Sequence, residues 1–410
     1  MARRDTESLL LLGGARHQIP AIQAARRLGL RTVLCDYLPD NPGQFFSDVF
    51  YRESTTNRER ILEIAREEGV GGVLSFGTDV AAPTAAYVCE RLGLPTNPLS
   101  AVETLSEKHL FRDHLSRCGF PCPRHATLSV DASASEVAGL ARRMRPPVVL
   151  KPTDSSGSKG VTVLDDPEGE SVSRALASAR EYSRNGTLVL EEFILPSFPR
   201  VVGGDVFVVD GEVRFWGLMS CLRDELLGGL VPVGERWPSG LSGAQLGAVR
   251  EQVQALVSSL GIRFGEMNVE VIVGEGDTPY LLELAARAGG NMIPLQLSDV
   301  SGIDLVEANV RYAMGDRSLD VSFDGVSADG AFCTYLPHVR ERGLFEGIVL
   351  DPRIAPYVYR QDIFVELGEE VAPLNNASKA LGVLFLRFPD ASTMEDALAI
   401  MDELVSVCLG

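Results

Sequence analysis

The stretch from Val148 to Leu164 constrains this chain more than any other. Val148-Val149-Leu150-Lys151-Pro152 reads as a short apolar strand closed by a lysine. Thr153 to Gly160 is a small, hydroxyl-rich loop, and Val161 to Leu164 resumes strand composition. Ser155, Ser156 and Ser158 supply donors, Gly157 and Gly160 let backbone amides approach an anion closely, and Lys159 adds charge. The loop thus has the chemistry of a phosphate cradle. A mononucleotide P-loop would read Gly-x-x-x-x-Gly-Lys-Ser/Thr and open a helix whose N-terminus holds the phosphate. Here β-branched residues follow, so the expected device is a strand–loop–strand hairpin lying over phosphates, with Lys151 at the end of its first strand. A Gly/Ser hairpin also occurs as a plain surface turn. Carboxylates further along the chain bear on that choice.

With 410 residues, 45% hydrophobic and 23% charged, the chain has material for two or three cored domains at about 100–200 residues each. A formal charge of −18 provides no basic field for a nucleic-acid backbone, so no nucleic-acid partner is expected. A small anion such as ATP then needs local lysines and a metal ion. Arg3 and Arg4 precede an apolar stretch, but Leu9 to Leu12 is too short for a signal-peptide core. No apolar run reaches the roughly 18–20 residues of a membrane helix. The expectation is a cytoplasmic protein without a membrane partner. Seven scattered cysteines suggest reduced thiols. His109, His114, Cys118, Cys122 and His125 cluster in sequence, yet their spacing fits no zinc-ligand pair.

Ser8 to Leu12 and Arg31 to Asp36 read as strands around a helix at Gln18 to Leu28, a βαβ start. The loop between is Gly13-Gly14-Ala15-Arg16-His17, not Gly-x-Gly-x-x-Gly, which argues against a dinucleotide site. A helix at Arg58 to Glu68, a strand at Gly72 to Phe76 and a helix at Ala81 to Leu92 complete an open α/β domain over residues 1–97. Asn97-Pro98 and a helix from Thr104 to Cys118 mark a junction, with Lys108 in the helix's first turn. Helices at Ala134 to Met144 and Glu168 to Ser183 flank the phosphate hairpin. A strand from Thr187 to Ile194 carries Glu191-Glu192-Phe193-Ile194. An Asp210-Gly211 turn joins strands Asp205 to Val209 and Glu212 to Leu218. Residues 222–243 read as a long connection able to cover a site, and Ala244 to Leu260 as a helix.

Two strands then bear acids among apolar neighbours: Glu270 in Asn268 to Val273, and Glu283 in Tyr280 to Leu284. The turn from Gly274 to Pro279 is short enough to make them antiparallel neighbours, so both carboxylates can face one point. Buried carboxylates need a partner, here a metal ion or, alternatively, Arg287. Arg287-Ala288-Gly289-Gly290-Asn291 follows as a tight turn that brings one arginine and several amides to the acids, an arrangement suited to an anionic intermediate. From about Val326 the pattern changes to short strands, an Asn375-Asn376 turn and a final helix from Thr393 to Leu404.

This order of parts resembles the ATP-grasp superfamily of carboxylate–amine ligases over nearly the whole chain, and most closely its amino-acid ligase and biotin carboxylase-like branch. The resemblance implies a mixed α/β and α+β protein: an N-terminal open α/β (pre-ATP-grasp) domain at 1–97, an ATP-grasp domain at 98–325 and a small C-terminal β-rich domain at 326–410. It implies that Lys108 and Lys151 hold ATP phosphates and that Ser155, Ser156, Gly157, Ser158, Lys159 and Gly160 close over them. Glu191, Glu192, Phe193 and Ile194 would lie against adenine. Glu270 and Glu283 would bind Mg2+, with Mn2+ as the alternative ion. Arg287 and Lys151 would serve catalysis, Arg287 by steadying an acyl phosphate and the tetrahedral intermediate. Two positions depart from the family's pattern. Pro199-Arg200-Val201 stands where relatives carry a ribose-binding Gly-x-Glu, and Ala285 stands where they place an asparagine at the metal.

The function expected on this resemblance is ATP-dependent joining of a carboxylate, an amino acid or small acid, to an amine through an acyl phosphate. The alternatives are a bicarbonate-phosphorylating carboxylase-type enzyme and a non-catalytic ATP-binding regulatory protein. Loop position adds Arg16, His17, Thr78 and Asp79 to Arg287, Gly290 and Asn291 as residues for the carboxylate and amine substrates. A homodimer is among the expected assemblies.

Overall fold

The apolar run Ser8–Leu12 forms β1, a strand buried along its whole length. The computed structural model that contains it describes residues 7–224, 226, 231–326, 329–376 and 379–410. Arg3 and Arg4 lie outside the described residues. β1 pairs in parallel with β2 (Arg31–Asp36), and with β3 (Val49–Arg52) and β4 (Gly72–Ser75) it makes a sheet of order β3-β2-β1-β4. A parallel sheet must be covered on both faces. Of its connecting helices, α2 (Arg58–Glu67) and α3 (Ala82–Leu92) pack Ile61, Ile64 and Val88 against Leu10 and Leu12. On the other face α1 (Ile19–Arg27) packs Ala21, Ile22 and Ala25 against Leu9 and Leu11. β3 was not expected; this edge strand is only partly buried and too short to show a period.

The junction helix divides into α4 (Leu99–Ser106) and α5 (Lys108–Arg117), because Glu107 between them is extended at φ −114°, ψ 109°. The amide of Lys108 is thereby free of the helix and donates to the Thr153 carbonyl at 2.9 Å, which ties the junction to the end of the phosphate hairpin. Next come β5 (His125–Ser129), α6 (Ala134–Ala141), β6 (Val148–Pro152), β7 (Thr162–Leu164), α7 (Gly169–Tyr182) and β8 (Thr187–Glu192). They form an antiparallel sheet of order β5-β8-β6-β7, covered by Val137, Ala141, Val172 and Leu176 of the two helices. β8 stops at Glu192, so Phe193 and Ile194 leave the sheet.

β9 (Val202–Val209) and β10 (Glu212–Arg223) are joined by Asp210-Gly211, both at positive φ (52° and 89°), the conformation that an Asp-Gly hairpin turn needs. The stretch 222–243 is not merely a connection. It contains β11 (Pro232–Trp237), which lies between neighbours on both sides and takes its backbone partners from them, so weak local β character suffices. Residues 225 and 227–230 of that stretch lie outside the described residues. α8 (Gly243–Leu260) starts on a Ser242/Gln245 capping box. β12 (Phe264–Val273), β13 (Pro279–Ala285), α9 (Ile293–Ser301) and α10 (Leu305–Ala313) follow.

The chain ends with β14 (Ala331–Tyr335), β15 (Gly343–Leu350), β16 (Val358–Ile363), β17 (Glu370–Val371), β18 (Gly382–Phe388), α11 (Ala391–Leu398), α12 (Met401–Leu404) and β19 (Val405–Leu409). The expected last helix is thus two short ones followed by a strand. The central sheet runs β13-β12-β9-β10-β11-β14-β18-β16, continuous across residue 326, while β17-β15-β19 form a small sheet beside it. α10 sends Val306, Val310 and Ala313 into the first sheet's second face. That packing brings the loops of the first sheet against the turn that follows β13. No helix among the described residues is long and apolar enough to cross a membrane.

Candidate active site

A cleft of ≈ 1560 Å³ lies between the hairpin sheet, the central sheet and the loops of the first sheet. Lys108, Lys151, Ser155 to Lys159, Glu191 to Ile194, Glu270, Glu283, Arg287, Gly290, Asn291, Arg16, His17, Thr78 and Asp79 all line it. Gly160 does not; it is buried at the root of the loop at φ 74°.

At the serine-loop end, Lys108 Nζ donates to the Ser155 carbonyl and Ser155 Oγ donates to the Lys159 carbonyl at 2.9 Å, which folds the loop back on itself. Lys151 is buried in the cleft wall, and its Nζ is paired with Glu191. The opposite side of Glu191 meets Arg112, whose Nε donates to Oε2 at 2.9 Å while Nη1 donates to the Leu282 carbonyl at 3.1 Å. Burial pulls the Lys151 ammonium down to about 8 against the pull of Glu191. Burial would raise the Glu191 carboxyl, but Arg112 and then Lys151 outweigh it and hold it down at about 2. Glu191 is therefore a buried anion between two cations, set on β8 so that its carboxylate braces the lysine at the end of β6. Glu192 accepts from the Arg145 amide at 3.0 Å, and the Phe193 amide donates to the Pro147 carbonyl at 3.0 Å.

At the other end, β12 and β13 are antiparallel neighbours, and Glu270 stands directly opposite Glu283. Burial raises the Glu270 carboxyl and the facing Glu283 raises it further, with Arg223, Lys108 and Arg287 opposing. Two oxygen-donor acids held face to face at the cleft are a donor set that suits a hard divalent cation. Ala285 is buried, with Asn268 opposite it on β12. Arg287 is held by the loop after β4: Nε donates to Asp79 Oδ1 at 2.6 Å, and Nη1 donates to the Ala288 carbonyl at 3.0 Å. His17 lies against Gly77, where a Cβ would meet the imidazole Cδ2 at 2.9 Å, and Gly77 has φ 65°. Only glycine fits that contact. Burial and Arg287 lower the His17 imidazole, with the Gly77 backbone opposing. In the Pro199-Arg200-Val201 stretch, Arg200 pairs with Glu395 of α11 at 2.9 Å, and Arg236 of β11 pairs with the same carboxylate.

Five side chains of this region were not among the expected site residues: Arg112, Asp205, Glu235, Glu266 and Asn268. Arg112 lies four residues after Lys108, a spacing that places both on one helical face. Glu266, Asn268 and Glu270 alternate with Met267, Val269 and Val271 of the core, so the period that singles out Glu270 also points to the other two. Asp205 is an acid among apolar strand residues and carries the same signal. Glu235 carries none, since its strand has no clear alternation. Its carboxyl is pushed up to about 8, first by burial, while Oε2 finds no donor among the described residues. The five-residue His/Cys cluster does not converge: His114 Nε2 meets Ser259 Oγ at 2.9 Å, whereas His125 Nε2 meets Asp113 at 3.1 Å.

Residues 107–320 match the family described as carbamoyl-phosphate synthase L chain, ATP binding domain. The carbamoyl phosphate synthase large chain of Kineococcus radiotolerans is 25% identical over 356 residues, 81% of this chain and 31% of that one. The formate-dependent phosphoribosylglycinamide formyltransferase of a Synechococcus strain is 32% identical over 189 residues, 45% of this chain and 47% of the relative. The chain thus spans about a third to a half of the length of these curated relatives. Among solved structures, an L-amino acid ligase from Bacillus licheniformis superposes with a TM-score of 0.79 at 20% identity, covering 99% of both chains. The biotin carboxylase domain of a 2-oxoglutarate carboxylase from Hydrogenobacter thermophilus gives 0.74 at 20% identity, covering 99% of this chain and 91% of the other. At such identities the likeness is one of fold.

Proposed function

Since the chain belongs to the carbamoyl-phosphate synthase L chain ATP-binding domain family, with the ATP-grasp fold, we propose that it is an ATP-dependent ligase joining a carboxylate to an amine. One observation carries the reading: the lysine-ended strand β6, the serine loop, the opposed acids Glu270 and Glu283, and Arg287 all line a single cleft. In this reading the substrate carboxylate attacks the γ-phosphate of ATP, giving an acyl phosphate and ADP. The amine then attacks the acyl carbon and phosphate leaves. Positioning and charge neutralisation suffice for the first step, and no side-chain nucleophile is needed.

Lys108 and Lys151 bind the β- and γ-phosphates, and the Ser155–Gly160 loop supplies amide and hydroxyl donors above them. Glu192, Phe193 and Ile194 lie along adenine, while Glu191 acts from beneath by orienting Lys151. Glu270 and Glu283 would hold Mg2+, or Mn2+ in its place. The metal, when bound, supplies neutralising charge for the phosphates. Arg287 presents its guanidinium to the acyl phosphate, and Arg16, His17, Thr78, Gly290 and Asn291 surround the acid and amine. The cytoplasm, where ATP is at hand, and a homodimer are the location and assembly we propose.

The test is ADP release across a panel of amino acids and small carboxylic acids, with and without amines, followed by mass spectrometry of the products. ADP release that requires an added acid, with a condensed product, supports the ligase. Dependence on bicarbonate alone, the reading that the biotin carboxylase likeness favours, would replace it with a carboxylase-type reaction. Nucleotide binding with no release under any acid would leave a binding protein.

A further inference from the structure

Behind the Arg287 turn lies a second pair of acids. Asp205 on β9 stands opposite Asn268 on β12, and Glu266 is two residues before Asn268 on the same face, a diagonal cross-strand neighbour of Asp205. Both are buried, at 0% and 2% exposure, and they lie within hydrogen-bonding reach of one another. Asp205 accepts at both oxygens: the Gly289 amide of the turn donates to Oδ2 at 2.8 Å, and Asn268 Nδ2 of β12 donates to Oδ1 at 2.8 Å. The Asn268 backbone amide also donates to the Arg287 carbonyl at 3.0 Å. A Cβ at Gly289 would come within 2.8 and 2.9 Å of the two Asp205 oxygens, so the approach requires glycine there.

Glu266 is supplied by Asn309 Nδ2 of α10 at one oxygen, while Oε1 has no donor among the described residues. A buried carboxylate lacking a donor and facing another carboxylate is unfavourable unless one of the two carries a proton. Burial pushes both groups up, and Glu266 rises further because Asp205 faces it. Arg287 is the cation that acts on both, and Glu235 of β11 also senses Asp205.

We propose that Asp205 and Glu266 share one proton and together act as the positioning pair for the turn from Arg287 to Gly290. Protonated Glu266 donates to Asp205, and Asp205 holds the Gly289 amide. The turn then presents Arg287 and the following amides to the cleft in one conformation. This inference rests on the ligase reading for its kinetic readout but not for its physical one. Glu266→Gln preserves the arrangement, since an amide N–H can donate to Asp205 without titrating. Glu266→Ala removes the donor altogether.

The sign for stability follows from linkage. A carboxyl whose folded value lies above its unfolded one stabilises the fold at low pH, and that contribution is lost as pH rises from the ordinary glutamate range through the raised value. Thermal unfolding should therefore show Glu266→Gln gaining on the wild type as pH rises. Infrared spectra at neutral pH should show a protonated-carboxyl stretch in the wild type that is weaker in Glu266→Gln. With whichever acid releases ADP, Glu266→Gln should keep kcat within about twofold and lose part of the alkaline fall in kcat. Glu266→Ala should lose about 10–100-fold in kcat with KM for MgATP little changed, as expected of a misplaced group. Parallel unfolding curves across pH with unchanged carboxyl bands overturn the shared proton. Wild-type kcat in Glu266→Ala overturns the positioning role. If the wild type releases no ADP with any acid, the ligase reading has failed, while unfolding and infrared still decide the proton.

Discussion

Lys151 is a cation enclosed by protein, and its chemistry depends on the anion beside it. Glu191, between Lys151 and Arg112, keeps the ammonium at the end of β6, where it can meet a second anion entering from the cleft. Lys151→Met leaves Glu191 still paired with Arg112, so the fold should persist while turnover falls by roughly 10²–10³-fold, the scale of losing one preorganised charge contact. Burial holds the free-enzyme ammonium down at about 8. ATP phosphates favour its charged form, so MgATP affinity should weaken as pH rises through that value, and binding above it should take up protons. Calorimetry at about pH 8.5 in two buffers of different ionisation enthalpy measures the uptake. Equal heats in the two buffers, or unimpaired turnover in Lys151→Met, would remove Lys151 from the phosphate site.

The hairpin that carries this lysine is anchored at one end and open at the other. Lys108 and Asp154 fasten its base, through the Ser155 carbonyl and the amides of Arg184 and Asn185. From Ser155 to Lys159 no large apolar side chain joins a core, and Gly157 and Ser158 both sit at positive φ. Little burial therefore opposes opening in the empty enzyme. Amide hydrogen exchange over residues 153–160 should slow when an ATP analogue and magnesium are added, while exchange in β6 stays the same. Equal protection with and without nucleotide would mean that the loop does not close on phosphates. The strand–glycine loop–strand order is legible because β-branched residues and small residues act over a few positions. The break at Glu107 is not legible, since the partner that the freed Lys108 amide finds, the Thr153 carbonyl, comes from the distant loop after β6.

Across the molecule, ion pairs tie the central sheet to its neighbours. Arg287 and Asp79 join the turn after β13 to the loop after β4, and Arg200 and Arg236 meet Glu395 from α11. Asp79→Asn leaves the Arg287 guanidinium buried without its counter-charge and free to turn. We expect kcat/KM for the acid to fall by about 10–100-fold, as for a displaced catalytic group, with KM for MgATP within about twofold. A variant with wild-type kcat/KM would show that the first sheet's loop has no part in placing Arg287.

What the sequence determined by itself is local and periodic. The lysine-ended strand, the serine loop, the Asp-Gly hairpin and the alternation that turns Glu270 inward all follow from backbone sterics and from which side of a strand can meet water. What only the tertiary structure decided is which groups meet once they are inside. Arg112 finds Glu191 from 79 residues away, the Gly289 amide finds Asp205 from 84, and Arg287 finds Asp79 from 208. Periodicity shows that a side chain is buried, but not its partner. A buried charge must be matched by whatever the packing of distant elements brings to it, and here that packing braces Lys151 and holds Arg287 at the cleft.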